Sequence, residues 1–201
     1  MSYVTEIYNN ITAYIKEYPA ATIIQVITTI PYARAFWWDK KKDVLSWVAA
    51  SCFLFAIGYF LFSAYSGIVI AAGTFISAVI GRIFSKKEEI KSVSNKQRIF
   101  VFLMLVIVTA TISLFFERNV IMWLILVAGF FDYFAYIVFK EYGKIMHIVL
   151  IISQITLVIY EIIYALYLFA ILDLITAIII AVHLCKIIFV KSNSPTLQIC
   201  Q

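Results

Sequence analysis

Charge is scarce in this chain: Asp, Glu, Lys and Arg make up 13% of its 201 residues, against roughly 25% in soluble domains. With 64% hydrophobic residues, too few polar groups exist to cover a water-facing surface, and the bilayer is the expected solvent. Cysteine is equally thin. Cys52, Cys185 and Cys200 show no metal-like spacing, two fall in apolar segments and one in the tail, which argues against a disulfide framework. Cys200, second from the end, does not form a prenylation box. The two histidines, His147 and His183, have no Cys, His or carboxylate at metal-ligand helix spacing, so no metal site is expected. No phosphate-binding loop and no local Ser–His–acid set is present, and neither enzyme activity nor a cofactor is expected. The first 20 residues lack a basic stretch leading into an unbroken apolar run, so no cleavable signal peptide is expected.

What charge there is has a pattern. The net charge is +5. The basic residues are dispersed at the ends of apolar segments rather than gathered in a patch, which excludes nucleic acid as the expected partner and points to lipid headgroups. Hydropathy delimits seven apolar segments, at 20–38, 44–63, 67–84, 99–116, 119–139, 145–165 and 167–189. Each approaches the ~20 residues that cross a ~30 Å hydrocarbon core. Threading them alternately puts Lys40–Lys42, Arg82, Lys86, Lys87, Lys91, Lys96, Arg98, Lys140, Lys144, Lys186 and Lys191 on one side, and only Lys16 and Arg118 on the other. The positive-inside rule then sets the N-terminus outside and the C-terminus in the cytoplasm.

The organisation follows from these segments. Residues 1–19 read as an amphipathic interfacial helix, with Val4, Ile7, Tyr8, Ile11, Tyr14, Ile15 and Tyr18 at helical spacing and Pro19 as its break. Residues 20–84 form a first three-helix set. Residues 85–118 hold a polar, basic linker over Ser85–Gln97 and one inverting helix. Residues 119–189 form a second set, and 190–201 a cytoplasmic tail. Short connections make neighbouring helices antiparallel. The fold class expected is an all-α integral membrane protein of seven transmembrane helices, two parallel three-helix repeats joined by an inverting helix (3+1+3). Shifting the first set by 101 residues lays Tyr32 on Tyr133, Val48 on Val149, Tyr59 on Tyr160 and Ala64 on Ala165. Parallel repeats of this kind occur in SWEET-type transporters.

Over 22–87 the chain has a short span, the turn Asp39-Lys40-Lys41-Lys42-Asp43, a second span, the run Gly58-Tyr59-Phe60-Leu61-Phe62-Ser63-Ala64-Tyr65-Ser66-Gly67, and a small-residue helix ending Gly81-Arg82-Ile83-Phe84. This stretch resembles the YgjV family of bacterial inner-membrane proteins, with a weaker likeness to the end of the second set. The resemblance implies the helix arrangement of the wider SWEET, PQ-loop and PnuC-like group and a bacterial inner-membrane location. The chain departs from sugar-carrying members of that group: it has no Pro-Gln pair, and only Pro31 among its prolines lies within a span.

Polar groups inside spans are costly, so their placement carries information. Gln25, Thr28, Thr29 and Tyr32 share one arc of the first span; Gly129, Asp132, Tyr133 and Tyr136 one face of the fifth. The sixth carries Ser153, Thr156, Tyr160 and Tyr164 with Gln154 and Glu161 alongside, and the seventh Asp173, Thr176 and His183. Two readings stay open: hydrogen bonds between helices, or a polar cavity. On the second, Gln25, Thr28, Thr29, Tyr32, Asp132, Ser153, Gln154 and Tyr160 are the candidate substrate-binding residues. Arg34, Glu161 and Asp173 are candidates for gating or ion coupling, with Arg34 either paired to Asp132 or reaching the inner headgroups. Glu161 and Asp173 either form an acidic vestibule or face water at the interface. Gly73, Ser77 and Gly81 form a small-residue row expected to pack within the first set or between protomers of a homo-oligomer. The function expected is alternating-access transport of a small polar solute. The alternative is a non-transporting scaffold, sensor or partner-binding subunit.

Overall fold

The computed structural model describes residues 3–36, 38, 40–61, 65–88, 93–116, 122–163 and 166–192. Every regular element among them is helical: α1 (Tyr3–Glu17), α2 (Pro19–Ala35), α3 (Lys41–Leu61), α4 (Tyr65–Glu88), α5 (Asn95–Phe116), α6 (Met122–Tyr133), a π-helical turn (Phe134–Val138), α7 (Lys144–Ile163) and α8 (Tyr167–Ser192). Five of these, α3, α4, α5, α7 and α8, are long and apolar enough to cross a membrane. This is the signature of a multi-pass membrane protein.

Local chemistry sets the boundaries. Pro19 opens α2 at a position where its missing N–H costs nothing, and so separates α1 from α2. The linker expected over Ser85–Gln97 is shorter than expected, because helix extends into it from both sides. Lys86 and Lys87 lie in the last turn of α4, where cations complement the helix dipole. Ser94 caps α5, its Oγ accepting the Lys96 N–H at 3.2 Å.

The helices α2, α3 and α4 pack in sequence, as do α6, α7 and α8. The two sets meet where α4 crosses α6 and where α2 crosses α8, while α5 lies against α4, α6 and the π turn. The helix α1 docks on α2 and α8, with Tyr14 edge-on to Phe169 at 5.9 Å. The largest apolar cluster joins both sets, drawing Phe36, Leu45 and Val48 against Tyr136, Leu150 and Ile180. The small-residue row is buried as expected, but its main partner differs: it seats the second set on the first. A Cβ at Gly73 would land on the Tyr133 hydroxyl, and one at Gly81 on the backbone oxygen of Tyr136.

The end of α6 is held by buried cations. Arg98, 1% exposed, donates from Nη1 to the Ile137 carbonyl at 2.7 Å and sets its guanidinium 5.1 Å above the Phe84 ring. Its Nη2 lies 2.7 Å from Glu88 Oε1, a charge contact rather than an aligned hydrogen bond. Lys41 donates from Nζ to the Phe139 carbonyl. These are the carbonyls that the irregular helix end leaves open.

Candidate functional site

Between the two sets lies a cavity of ≈ 50 Å³. A single water needs about 10–15 Å³ on this measure, so the space admits a few waters or one small polar group. Its polar wall comes from both sets: Tyr32 of α2 and Thr74 of α4, facing Asp132 of α6, Gln154 of α7 and Asp173 of α8. Cys52 of α3 is also on the wall. A hydrogen-bond chain crosses beside it. Gln154 Nε2 donates to the Tyr32 hydroxyl at 3.2 Å, and Tyr32 lies 3.5 Å from the Tyr136 hydroxyl. With its amide nitrogen committed to Tyr32, Gln154 keeps a buried Oε1 with no donor, and Asp132 Oδ1 is likewise buried without one. Such groups are costly in a dry interior, and both belong to residues on the cavity wall.

Of the residues expected at a site, Tyr32, Asp132, Gln154 and Asp173 are therefore brought together. Others are buried but do not line the cavity. Thr28 and Thr29 donate to carbonyls of their own helix, Ile24 at 2.6 Å and Gln25 at 2.9 Å. Ser153 donates to the Ala128 carbonyl at 3.0 Å, tying α7 to α6, and its hydroxyl also lies against the Asp132 carboxyl. Gln25 is 2% exposed and packs where α2 closely approaches Gly58 of α3, its Oε1 also without a donor but away from the cavity wall. Tyr160 sits in an apolar cluster with Ile70, Met122 and Ile125.

The charged and titratable groups divide between water and the interior. Arg34 is exposed while Asp132 is 4% exposed, and the two do not form an ion pair. Near the end of α2 the long Arg side chain gains more from water than from a buried carboxylate. Glu161 and Asp173, whose open alternative was a water-facing position, are 1% and 7% exposed and lie against one another. The two histidines meet: His147 Nε2 lies 2.8 Å from His183 Nδ1, and His147 Nδ1 lies 2.9 Å from the Gly143 carbonyl. A carbonyl only accepts, so Nδ1 of His147 carries the proton, and in the neutral pair its Nε2 must accept from His183. Tyr142 lies over His147 at 4.3 Å and donates to the Phe36 carbonyl at 3.2 Å. Among the described residues no group of three or more His, Cys, Asp or Glu is arranged to hold a metal.

Beyond the interior, Lys40, Lys42 and Lys140 line an open pocket with Glu88, Glu141 and Tyr142. The ends of α3 and α4 and the α6–α7 connection thus converge at one basic end of the bundle. Compared with family models, with curated proteins and with solved structures, the chain matches none of them.

Proposed function

We propose that this chain is a bacterial inner-membrane carrier for a small polar solute, working by alternating access between its two three-helix sets. In this reading α2, of 17 residues, and the continuous α6–π unit also cross the membrane, near the short end of the ~17–25 residue range. They complete seven spans in a 3+1+3 arrangement with α5 as the inverting helix, N-terminus outside and basic end in the cytoplasm. The resemblance of residues 22–87 to the YgjV family supports the same layout.

One observation carries the reading. The cavity wall takes polar groups from both sets, and two of its residues, Asp132 and Gln154, hold buried oxygens without donors. A tie between helices would satisfy its polar atoms; a binding site leaves acceptors for a ligand. The solute would be small and rich in donors, with Asp132 and Gln154 accepting from it and Tyr32 and Thr74 completing the wall. Tilting one set against the other across α4–α6 and α2–α8 would open the cavity to alternate sides.

The test is counterflow in proteoliposomes loaded with a panel of small cationic and neutral metabolites. Accumulation of at least one solute, abolished by Asp132→Asn in a variant of unchanged thermal stability, is the expected result. No counterflow across the panel, with co-purification of a stoichiometric partner, would instead identify a scaffold or partner-binding subunit.

A further inference from the structure

The interior holds more acid than its cations answer. Glu161, Asp173 and Asp132 are all buried. The buried cations among the described residues, Lys41 and Arg98, are engaged with the carbonyls of Phe139 and Ile137. The buried histidines are engaged with each other. Written as carboxylates, Glu161 and Asp173 leave both oxygens of Glu161 without a donor. Yet the two side chains lie in hydrogen-bonding contact across α7 and α8. A hydrogen bond between two carboxyls requires a proton on one of them.

The groups facing this pair are Tyr14 of α1, Tyr32 of α2, Cys52 and Tyr59 of α3, and Asp132 of α6. None is a cation. The choice between a proton and a metal ion is decided by space and ligands. Phe169 stacks on Tyr59 at 5.9 Å and meets Tyr14 edge-on at the same separation, so the surroundings are aromatic. A hard cation needs about six or more oxygens around it. A proton needs only the two carboxyl oxygens. Exchange has a route, because Asp173 lines the cavity while Glu161 does not.

We propose that Glu161 and Asp173 form a proton-binding pair that holds one proton between its carboxyls and exchanges it with water through the cavity. The proton adds to a carboxylate oxygen of the pair and leaves to cavity water, with no other bond made or broken. The pair titrates as one unit, as closely placed acids do. It is then the coupling site that moves a proton with the solute, a consequence that rests on the carrier reading above.

Infrared spectroscopy of the full chain in bilayers at neutral pH tests the site without any solute. The wild type is expected to show a protonated-carboxyl C=O band that shifts in D2O while the protein stays folded. Glu161→Gln removes this band, because its amide N–H can donate to an ionised Asp173. Should Glu161→Gln fail to fold, by circular dichroism, the double variant E161Q/D173N has neither carboxyl of the pair and must lose the band's intensity, down to what Asp132 alone contributes. Equal protonated-carboxyl intensity in wild type and folded variant overturns the proposal, as does a band that ignores D2O until the protein unfolds. Counterflow separates the two readings. Counterflow without the band removes the proton site and leaves the carrier; the band without counterflow removes the carrier and leaves the site.

Discussion

Breaking the Glu88–Arg98 contact should have an asymmetric effect that follows from burial. Arg98 is 1% exposed and Glu88 21%. Glu88→Ala therefore strands a guanidinium with no access to water, and removing one partner of a buried pair costs about 3–5 kcal/mol. Arg98→Met strands a carboxylate that still reaches solvent, but it also orphans the Ile137 carbonyl, a loss of about 1–3 kcal/mol. In the double variant the stranded guanidinium is gone, and the Ile137 carbonyl is the group newly left unsatisfied. Adding Arg98→Met to Glu88→Ala should thus recover about 2 kcal/mol, or about 4–8 °C in melting temperature for a chain of this size. Thermal unfolding of the four proteins of this cycle in one detergent measures it. If the second substitution lowers the melting temperature further, the guanidinium is not a buried charge held by Glu88, and the account of the α5–π contact fails.

Gly81→Ala puts a Cβ against backbone rather than a yielding side chain and should cost about 1–3 kcal/mol. Gly143→Ala, with nothing within 4 Å of the added atom, should not disturb packing; equal melting temperatures for the two variants would refute the α4–π contact. In neutral His147, ¹⁵N NMR should find the proton on Nδ1, whereas an Nε2–H tautomer would contradict the His147–His183 geometry. Tyr32→Phe removes the acceptor for Gln154 and should lower stability by about 1–3 kcal/mol, read by thermal melting; an unchanged melting temperature would show that the two residues are not bonded.

The helices were legible because apolar runs, Pro19 and the basic connections mark them in one dimension. Burial of Asp132 was legible too, since its position within an apolar run leaves a carboxylate little access to water. Other features depend on contacts far apart in sequence. Arg98 reads as one more cation at a membrane edge, because charge counting treats every Lys or Arg as facing water. Its role appears only when α5 lies against the π turn 39 residues on. The histidine pair joins residues 36 apart, beyond any helical spacing. The stripe containing Thr28 and Thr29 misleads for the opposite reason: their hydroxyls are satisfied four residues back in their own helix, so a polar face need not line a cavity. Thr74 and Cys52 belong to the wall without any local sign.

The central claim is that a polar cavity between the two sets opens to water. Cys52 lies on its wall and is 4% exposed, which makes it a probe that needs no knowledge of the solute. In a variant carrying Cys185→Ser and Cys200→Ser, reconstituted in bilayers, a small water-soluble thiol reagent should label Cys52 from at least one side while the protein stays folded. Cys52 that remains unlabelled from both sides until the protein is unfolded would contradict the account.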